Sequence, residues 1–401
     1  MTGGIAAASP VGFNNRVYLV GGLNGTNNTN TINYTNLNND GSIGAWTNQS
    51  MTGLGMASVS YLFAYSRANP LSAGTNPGNL YVFGGCANSS AAGCTSYSQA
   101  VYKCNIQTNG VIAGCTTSGQ LQIGIIPGDS ATGLGIMSGT IYANYIYLIG
   151  GVSPNQVDLK TVRYASFDNN NNVVTAGTGW VESPNKMAVG RRRAAAFGYN
   201  GYIYAVGGYE ASIGTLADIE FIKINVSDGS IGTVGNGFAV SSVTISQRWG
   251  LSVPISNSYA YVIGGCIVGA SPGGCTSSTD VIQTFQIYNN DSGAPAGYTA
   301  AATTLTTSPS RIGQASTILN GYLYVAGGCT GTVDCSGLVS NVSYAPIDVY
   351  GNIGSWSNTT GSLPAPGAWG KLLSAGGSLY YVGGQDTNGA SQSTIYYGTP
   401  S

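Results

Sequence analysis

Cysteine is the residue type with the most evident chemistry in this 401-residue sequence, because all eight cysteines fall into four close pairs. The pairs are Cys86 with Cys94, Cys104 with Cys115, Cys266 with Cys275, and Cys329 with Cys335. Zinc binding is the alternative to disulfide bonds, but spacings of six to eleven residues without any histidine fit zinc motifs poorly. We therefore expect four disulfide bonds, which indicate an oxidising compartment and an extracellular or cell-surface protein.

Catalytic chemistry, in contrast, lacks its usual side chains. The chain contains no histidine, which removes the commonest general base and the commonest metal ligand. No phosphate-binding loop occurs, since Gly-Gly doublets alone do not form one. Glycoside cleavage needs only two carboxylates, and the candidates for that chemistry are Asp158, Asp168, Glu182, Glu210, Asp218 and Glu220. Their placement suggests turns, strand edges and solvent, so we predict no catalytic residue, no metal site and no cofactor.

A third group of side chains is suited to binding. Arginine and tryptophan dominate recognition sites, and tryptophan also stacks on sugar rings. The candidates for a ligand-binding face are Arg191, Arg192, Arg193, Arg248, Trp249, Arg311 and Trp369. The alternative for these residues is structural, with arginines that hydrogen-bond between neighbouring units and tryptophans that belong to the core.

The composition restricts both the fold class and the partners. Only 7% of residues are charged and the net charge is −1, so no basic surface exists to neutralise a row of phosphates, and nucleic acid is excluded as a partner. No stretch approaches the roughly 20 apolar residues of a membrane-spanning helix. The 62 glycines and 27 tyrosines favour short strands and tight turns, which predicts an all-β protein.

One five-residue pattern recurs along the whole chain: an aromatic residue, two mostly apolar residues, and Gly-Gly. It occupies residues 18–22, 81–85, 147–151, 204–208, 261–265, 324–328 and 380–384. The first glycines are separated by 63, 66, 57, 57, 63 and 56 residues, a regularity that indicates seven copies of one structural unit.

Each unit contains the signals of four strands around this pattern. A strand rich in small residues (193–197) and a turn at Asn200-Gly201 precede it, and an alternating strand (218–224) follows it. Glycine-bearing turns come next, at residues 39–44, 227–232 and 350–354, and we expect two-residue hairpins there because Asp-Gly supplies positive φ. A fourth strand then begins beside a tryptophan, at Trp46, Trp180 and Trp356.

The aromatic-x-x-Gly-Gly pattern at the end of the second strand, with tryptophan on the fourth, resembles the kelch repeat. The resemblance covers essentially the entire chain and implies one seven-bladed β-propeller of four-stranded antiparallel blades over residues 1–401. The expected blades are residues 1–50, 51–122, 123–183, 184–241, 242–305, 306–362 and 363–401. The absence of histidine argues against the copper site of kelch-like oxidases such as galactose oxidase. The turn at residues 38–46 also departs from the sialidase Asp-box, because it misplaces both the glycine and the tryptophan.

The last blade is predicted to lack its outer strand. Residues 393–397 have the pattern of a third strand, and only four residues follow them. Residues 1–4 are too few to supply the missing strand, and they also lack the basic start and apolar core of a signal peptide, so export implies a mature or trimmed chain. Either the open edge is tolerated, or the chain is trimmed from a longer protein, or a strand of another molecule pairs there, which would allow self-association.

Three of the predicted disulfides begin directly after Gly-Gly and close loops that share one face with the candidate ligand residues. Loop faces of rigid scaffolds carry function. The sequence therefore predicts a non-enzymatic, extracellular or cell-surface propeller for adhesion or extracellular assembly, with a protein or glycan as its partner and a fibre subunit as one form. This resembles the Asn/Thr/Gly-rich kelch-like surface proteins of prokaryotes. A carbohydrate-binding or carbohydrate-cleaving module that uses the stapled loop face is the alternative.

Overall fold

The structure is a computed structural model. It describes residues 7–25, 27–69, 74–90, 93–120, 133–174, 180–233, 237–268, 275–287, 292–305, 310–330, 337–386, 392 and 394–400. Within these residues the only helix is the 3₁₀ turn Thr52–Leu54, and no helix is long and apolar enough to cross a membrane.

Seven antiparallel sheets follow one another along the chain, and the predicted seven-bladed, all-β architecture is confirmed. The strands of blades 1 to 3 are Ser9–Phe13, Arg16–Val20, Thr31–Asn36 and Thr47–Ser50; Phe63–Ala68, Gly78–Phe83, Ala100–Ile106 and Ile112–Gln120; Ser138–Tyr142, Tyr145–Ile149, Val162–Phe167 and an outer strand in two pieces, Val173–Val174 and Val181–Glu182. The strands of blades 4 to 7 are Ala195–Tyr199, Tyr202–Val206, Ile219–Lys223 and Ala239–Val240; Ile255–Ser256, Tyr259–Val262, Val281–Ile287 and Pro295–Thr304; Ala315–Leu319, Tyr322–Ala326, Val342–Pro346 and Ser357–Asn358; Lys371–Ala375, Ser378–Val382 and Ile395–Gly398.

Within the described residues, five short hairpins project from the loops between second and third strands. They are Leu23–Asn24 with Asn27–Asn28, Cys86–Ser90 with Gly93–Tyr97, Tyr209–Glu210 with Gly214–Thr215, Cys266–Val268 with Ser277–Ser278, and Cys329–Thr330 with Gly337–Leu338. We call these the loop hairpins.

The outer turns, between third and fourth strands, differ from the sequence prediction. In blade 1 the Gly41 amide donates to Asn38 and the Asn38 amide donates to Ser42, so three residues rather than two form the loop. Only Gly41, at φ 82°, is left-handed there. The expected two-residue hairpin was therefore wrong: the turn is helical over its first two positions and ends in one left-handed residue.

Five described outer turns accept a hydrogen bond from the signature tyrosine of the preceding blade. The Tyr18 hydroxyl donates to the carbonyl of Gly110 at 2.9 Å, and Tyr204 donates likewise to Gly293 at 2.7 Å. The same contact joins Tyr81 to Asn171, Tyr147 to Gly229, and Tyr380 to Gly41. These tyrosines are buried in the interfaces between blades, where the apolar core lies. The repeated aromatic residue is therefore a clamp between neighbouring blades.

The Gly-Gly doublet meets the next blade at its backbone. In every copy both glycines have positive φ, as in Gly207 at 56° and Gly208 at 109°. A Cβ added to Gly207 would lie 2.6 Å from the Arg248 carbonyl, while the Gly208 amide donates to that same carbonyl at 2.9 Å. The expectation that a side chain would clash, or that φ must be positive, is confirmed on both grounds.

Blade 7 contains three strands among the described residues, as predicted. It meets blade 1 through side chains: Tyr380, Val382 and Ile395 pack against Val17 and Leu19. The ring of blades is thus closed by packing, and no described strand lies outside Ile395–Gly398.

Candidate functional site

The residues just before each inner strand, here called the lead-in segments, lie at one face together with the residue that follows Gly-Gly. Trp249 and Cys266 exchange both backbone hydrogen bonds, at 3.1 and 2.9 Å, and Arg192 pairs in the same way with Tyr209. Equivalent bridges join Ser60 to Cys86, Gly135 to Val152, Ile312 to Cys329, and Ala368 to Gln385. The loop hairpins and the lead-in segments therefore share one face, as the alternation of strands predicts.

Three of the four predicted disulfides lie within the described residues. Cys86–Cys94, Cys104–Cys115 and Cys266–Cys275 are bonded, with Cα atoms 5.7, 4.0 and 5.6 Å apart. Cys104 and Cys115 stand opposite each other in the outer hairpin of blade 2. Cys329 is also disulfide-bonded, but its predicted partner Cys335 lies outside the described residues. The pairings on the loop hairpins of blades 2 and 5 are those that the spacing predicts.

Three of the seven candidate ligand residues occupy one repeated position inside the blades. Arg191, Arg248 and Arg311 are each 1% exposed or less. Each guanidinium donates to the carbonyl of the first glycine in its own blade, at 3.0 Å to Gly207, 3.2 Å to Gly264 and 2.7 Å to Gly327. The backbone carbonyl of each of these arginines also accepts a hydrogen bond from the second glycine of the preceding blade. These glycines are Gly151, Gly208 and Gly265. These arginines connect neighbouring blades from within.

The ion pairs of these buried arginines differ from blade to blade. Arg191 binds Asp218 at 2.7 Å and also contacts Glu220. Arg248 instead donates to Gln283 at 2.6 Å. Arg311 has no carboxylate partner among the described residues, and burial lowers its pKa from 12.5 to about 10. A guanidinium with that pKa still carries its charge at neutral pH.

Arg192 is likewise occupied within the chain. It forms a buried ion pair with Asp158, and its guanidinium also lies 5.9 Å from the ring centre of Tyr209. Asp158 in turn accepts the backbone amide of Ala211 at 2.8 Å, which ties the loop hairpin of blade 4 to blade 3.

The remaining three candidates form a stack. The Arg193 guanidinium lies 4.6 Å from the ring centre of Trp249. The Trp249 and Trp369 rings are stacked, with centres 6.2 Å apart and planes 12° apart. Trp249 is buried, whereas Arg193 and Trp369 are half-buried and reach solvent. Among the described residues Arg193 has no carboxylate partner and no hydrogen bond from its side chain. The stack therefore carries an uncommitted positive charge over aromatic rings.

Arg193 and Trp369 belong to a ring of seven equivalent residues around the propeller axis. The ring consists of Ala7, Tyr61, Ile136, Arg193, Gly250, Gly313 and Trp369, all with φ between 50° and 67°. Backbone hydrogen bonds link its members from blade to blade, as from Tyr61 to Ala7 at 3.1 Å. A side chain in this region costs roughly 1 to 2 kcal/mol. Blades 5 and 6 avoid the cost with glycine, while blades 4 and 7 keep large side chains there.

Sequence reasoning missed three tyrosines near the arginine. Tyr61, Tyr97 and Tyr209 lie near enough to Arg193 to act on its charge, although burial is the larger effect and lowers the pKa of Arg193. Tyr97 ends the loop hairpin that the Cys86–Cys94 disulfide staples. We name these three tyrosines with Arg193, Trp249 and Trp369 the arginine cup. Little in the sequence marks these tyrosines as site residues, since the segments around them have an ordinary composition.

Lys371 adds a second positive charge next to the arginine cup. It lines a small cavity between blades 7 and 1 together with Trp369 and Ala8. Lys371 is exposed, and no described carboxylate pairs with it.

The carboxylates considered for glycoside cleavage have structural partners. Glu182 pairs with Arg163 at 3.0 Å, and Asp168 accepts the amides of Asn170 and Asn172 in an outer turn. Glu210 accepts the amides of Ser212 and Ile213. Among the described residues no group of three or more histidine, cysteine or acidic side chains is arranged to hold a metal ion.

Comparison with known proteins finds similarity to propellers. No protein-family model matches the chain. Kelch domain-containing protein 3 of Rattus norvegicus and that of Mus musculus are each 26% identical over 199 residues, or 43% of this chain and 46% of theirs. The chain thus spans about half the length of the curated relatives it matches. The solved structure "Structure of YjhT" matches with a TM-score of 0.51 and 17% identity, over 80% of this chain and 92% of that one, which concerns the fold alone.

Proposed function

We propose that this chain, a kelch-like seven-bladed β-propeller, is a non-enzymatic adhesion protein that works outside the cell or at its surface and binds a carboxylate-bearing partner at the arginine cup. The observation that carries the proposal is the half-buried Arg193 guanidinium, stacked on Trp249 and without a described carboxylate partner. Its chain neighbours Arg191 and Arg192 are both paired with acids. Of the three consecutive arginines, only Arg193 therefore has a positive charge without a described acidic partner.

The chemistry of the cup favours a carboxylate. Charge-assisted hydrogen bonds to guanidinium groups are the strong class, and a carboxylate matches the guanidinium fork with two of them. Indole rings beside it add flat apolar area and lower the dielectric around the ion pair. Lys371, which lines the same small cavity as Trp369, favours the same sign of ligand charge.

The extracellular setting is supported by the disulfides. Cys86–Cys94 holds the loop hairpin that carries Tyr97, and Cys266–Cys275 packs in one apolar cluster with Trp249 and Tyr209. Staples of this kind persist in oxidising surroundings and preorganise the loops they close. A protein partner is favoured over a glycan, because the cavity beside Trp369 is far too small to enclose a sugar ring.

Fluorescence titration tests this proposal, since Trp249 and Trp369 lie in the cup. The probes are poly-L-glutamate, poly-L-glutamine and trigalacturonate, compared on the wild type, Arg193→Gln and the charge-matched surface control Lys160→Gln. We expect saturable binding of poly-L-glutamate, weakened at least tenfold by Arg193→Gln and unchanged by Lys160→Gln. Tighter binding of trigalacturonate, or its turnover, favours the carbohydrate alternative. Poly-L-glutamate binding that is unchanged by Arg193→Gln would refute the arginine cup as the binding site.

A further inference from the structure

The buried arginine of blade 6, Arg311, differs from its equivalents in blades 4 and 5. It is 0% exposed, and among the described residues the only hydrogen bond of its side chain runs from Nη1 to the Gly327 carbonyl, at 2.7 Å. Its Nε and Nη2 atoms have no partner in the part of the chain that the structure describes. Burial lowers its pKa to about 10, so the guanidinium is charged at neutral pH.

The third strand of each blade holds the position that serves this arginine. The residue opposite the one two positions before Gly-Gly is, in blades 4, 5 and 6, Glu220, Gln283 and Ser343. Glu220 contacts the Arg191 guanidinium, and Gln283 accepts a hydrogen bond from Nη2 of Arg248 at 2.6 Å. The register of the strands therefore identifies Ser343 as the residue that replaces a partner.

Ser343 does not bind the arginine of its own blade. Its side chain is much shorter than that of glutamate, and its hydroxyl donates instead to Asn358 at 2.8 Å. The second acid of blade 4, Asp218, accepts the amide of the first glycine through its backbone, and Asn341 does so in blade 6. Blade 6 thus keeps the arginine of blade 4 but has neutral residues in place of both carboxylates.

Blade 5 shows how the same arginine is satisfied without an acid. The guanidinium nitrogens of Arg248 all donate to oxygen atoms, which belong to Ser246, Gly264, Val281 and Gln283. In Arg311 only one of the corresponding nitrogens has a described acceptor. A buried charge is costly unless it is both hydrogen-bonded and neutralised. A water molecule would satisfy the N–H groups but would leave the charge uncompensated.

We infer that blade 6 binds a small monovalent inorganic anion, chloride or a similar halide, at Arg311, in the position that the Glu220 carboxylate takes in blade 4. The anion would accept the N–H groups of Nε and Nη2 and supply the missing negative charge. A halide is favoured over an organic acid, because Arg311 and Ser343 are each 0% exposed and the Arg311 carbonyl is bonded to Gly265 of blade 5. This site is separate from the arginine cup, where Arg193 reaches solvent.

The chloride dependence of stability tests the inference. Urea unfolding of the intact protein is measured at constant ionic strength while sodium chloride replaces sodium gluconate, whose anion is too large for a buried site. An ion that binds only the folded state stabilises it by mass action. The unfolding equilibrium constant of the wild type should therefore fall about tenfold for each tenfold rise in chloride above its dissociation constant.

Three variants assign the effect to blade 6. Ser343→Glu supplies the carboxylate of blade 4 and should abolish the chloride dependence, as should Arg311→Met. Thr47→Glu adds the same charge at an exposed position of blade 1 and should keep the dependence of the wild type. Arg193→Gln should also keep it, which separates this site from the arginine cup.

Diffraction from crystals soaked in sodium bromide locates the ion. We expect an anomalous peak beside Nε and Nη2 of Arg311 in the wild type and none there in Ser343→Glu. The inference is overturned by a wild-type stability that does not respond to chloride, by an unchanged response in Ser343→Glu, or by bromide at exposed residues alone, which would be an adventitious ion only. A water molecule without anomalous signal between Arg311 and Oε1 of Gln314, an atom without a described partner, would also overturn it.

Discussion

At the scale of residues, three consecutive arginines have three different environments. Arg191 is buried against Asp218 and Glu220, Arg192 is paired with Asp158, and Arg193 stacks on Trp249. The sequence alone identified the positions and left ligand binding and structural roles open as alternatives. It had no means of separating the three, because their partners are 27 or more residues away along the chain.

These environments predict different costs for the same substitution. Arg191→Met should destabilise the fold by about 3–5 kcal/mol, because it leaves the buried Glu220 and the half-buried Asp218 without their counter-charge. Arg193→Met should cost about 1 kcal/mol or less, the size of an exposed cation–π contact. Urea denaturation of both variants and the wild type measures this difference. Equal losses in the two variants would contradict the assignment of roles.

At the scale of elements, the turns and clamps account for the repeat pattern. Seven Gly-Gly doublets were visible in the sequence, and their positive φ follows from the close approach of the next blade. The three-residue outer turn was not foreseen, since Asp-Gly is compatible with both loop lengths. The tyrosine clamp was also missed, because its partner is a backbone carbonyl of the following blade, which carries no mark in the sequence.

The clamp predicts a matched pair of hydroxyl deletions. Tyr204→Phe should lower stability by about 0.5–1.5 kcal/mol, because it removes the hydrogen bond to the Gly293 carbonyl. Tyr324→Phe, the equivalent change in blade 6, should have no effect, since no described turn faces that side chain. Thermal unfolding of the two variants measures the contrast, and equal losses would contradict the assignment of the Tyr204 hydroxyl to the outer turn.

The outer turns also predict a pH dependence. Hydrogen bonds from the Ser230 side chain and backbone hold the pKa of Asp228 below its ordinary value of 3.8, and the Asn352 side chain and backbone do the same for Asp348. A lowered carboxyl pKa adds stability that is complete above pH 3.8 and is lost as the pH falls through the folded-state pKa. In an NMR titration Ser230→Ala should raise the pKa of Asp228 and leave that of Asp348 in place. An unchanged Asp228 would exclude the serine as the cause.

The disulfide framework predicts a definite peptide map. Under non-reducing conditions we expect Cys86–Cys94, Cys104–Cys115, Cys266–Cys275 and Cys329–Cys335, because each pair closes a short loop or hairpin. Mass spectrometry of proteolytic fragments identifies them. A free thiol at any of the eight positions would count against both the pairing and the extracellular setting.

At the scale of the whole molecule, two places differ from the sevenfold repeat: the arginine cup, and blade 7, which has three strands among the described residues. The fold class and the blade number followed from spacing alone, because a repeat must bury its faces against its neighbours. The sequence did not show which lead-in residues combine into a site, since Arg193, Trp249 and Trp369 come from three different blades. The arginine cup arises only when those blades are arranged around one axis.

The most direct test of the account is a crystal structure of the protein with the carboxylate probe that binds in solution. We predict that a carboxylate lies at hydrogen-bond distance, about 3 Å, from the Arg193 guanidinium, with Trp249 and Trp369 beside it and the Arg191 and Arg192 ion pairs intact. A probe bound elsewhere, or Arg193 paired with a carboxylate of its own chain, would contradict the claim that this propeller holds its partner at the arginine cup.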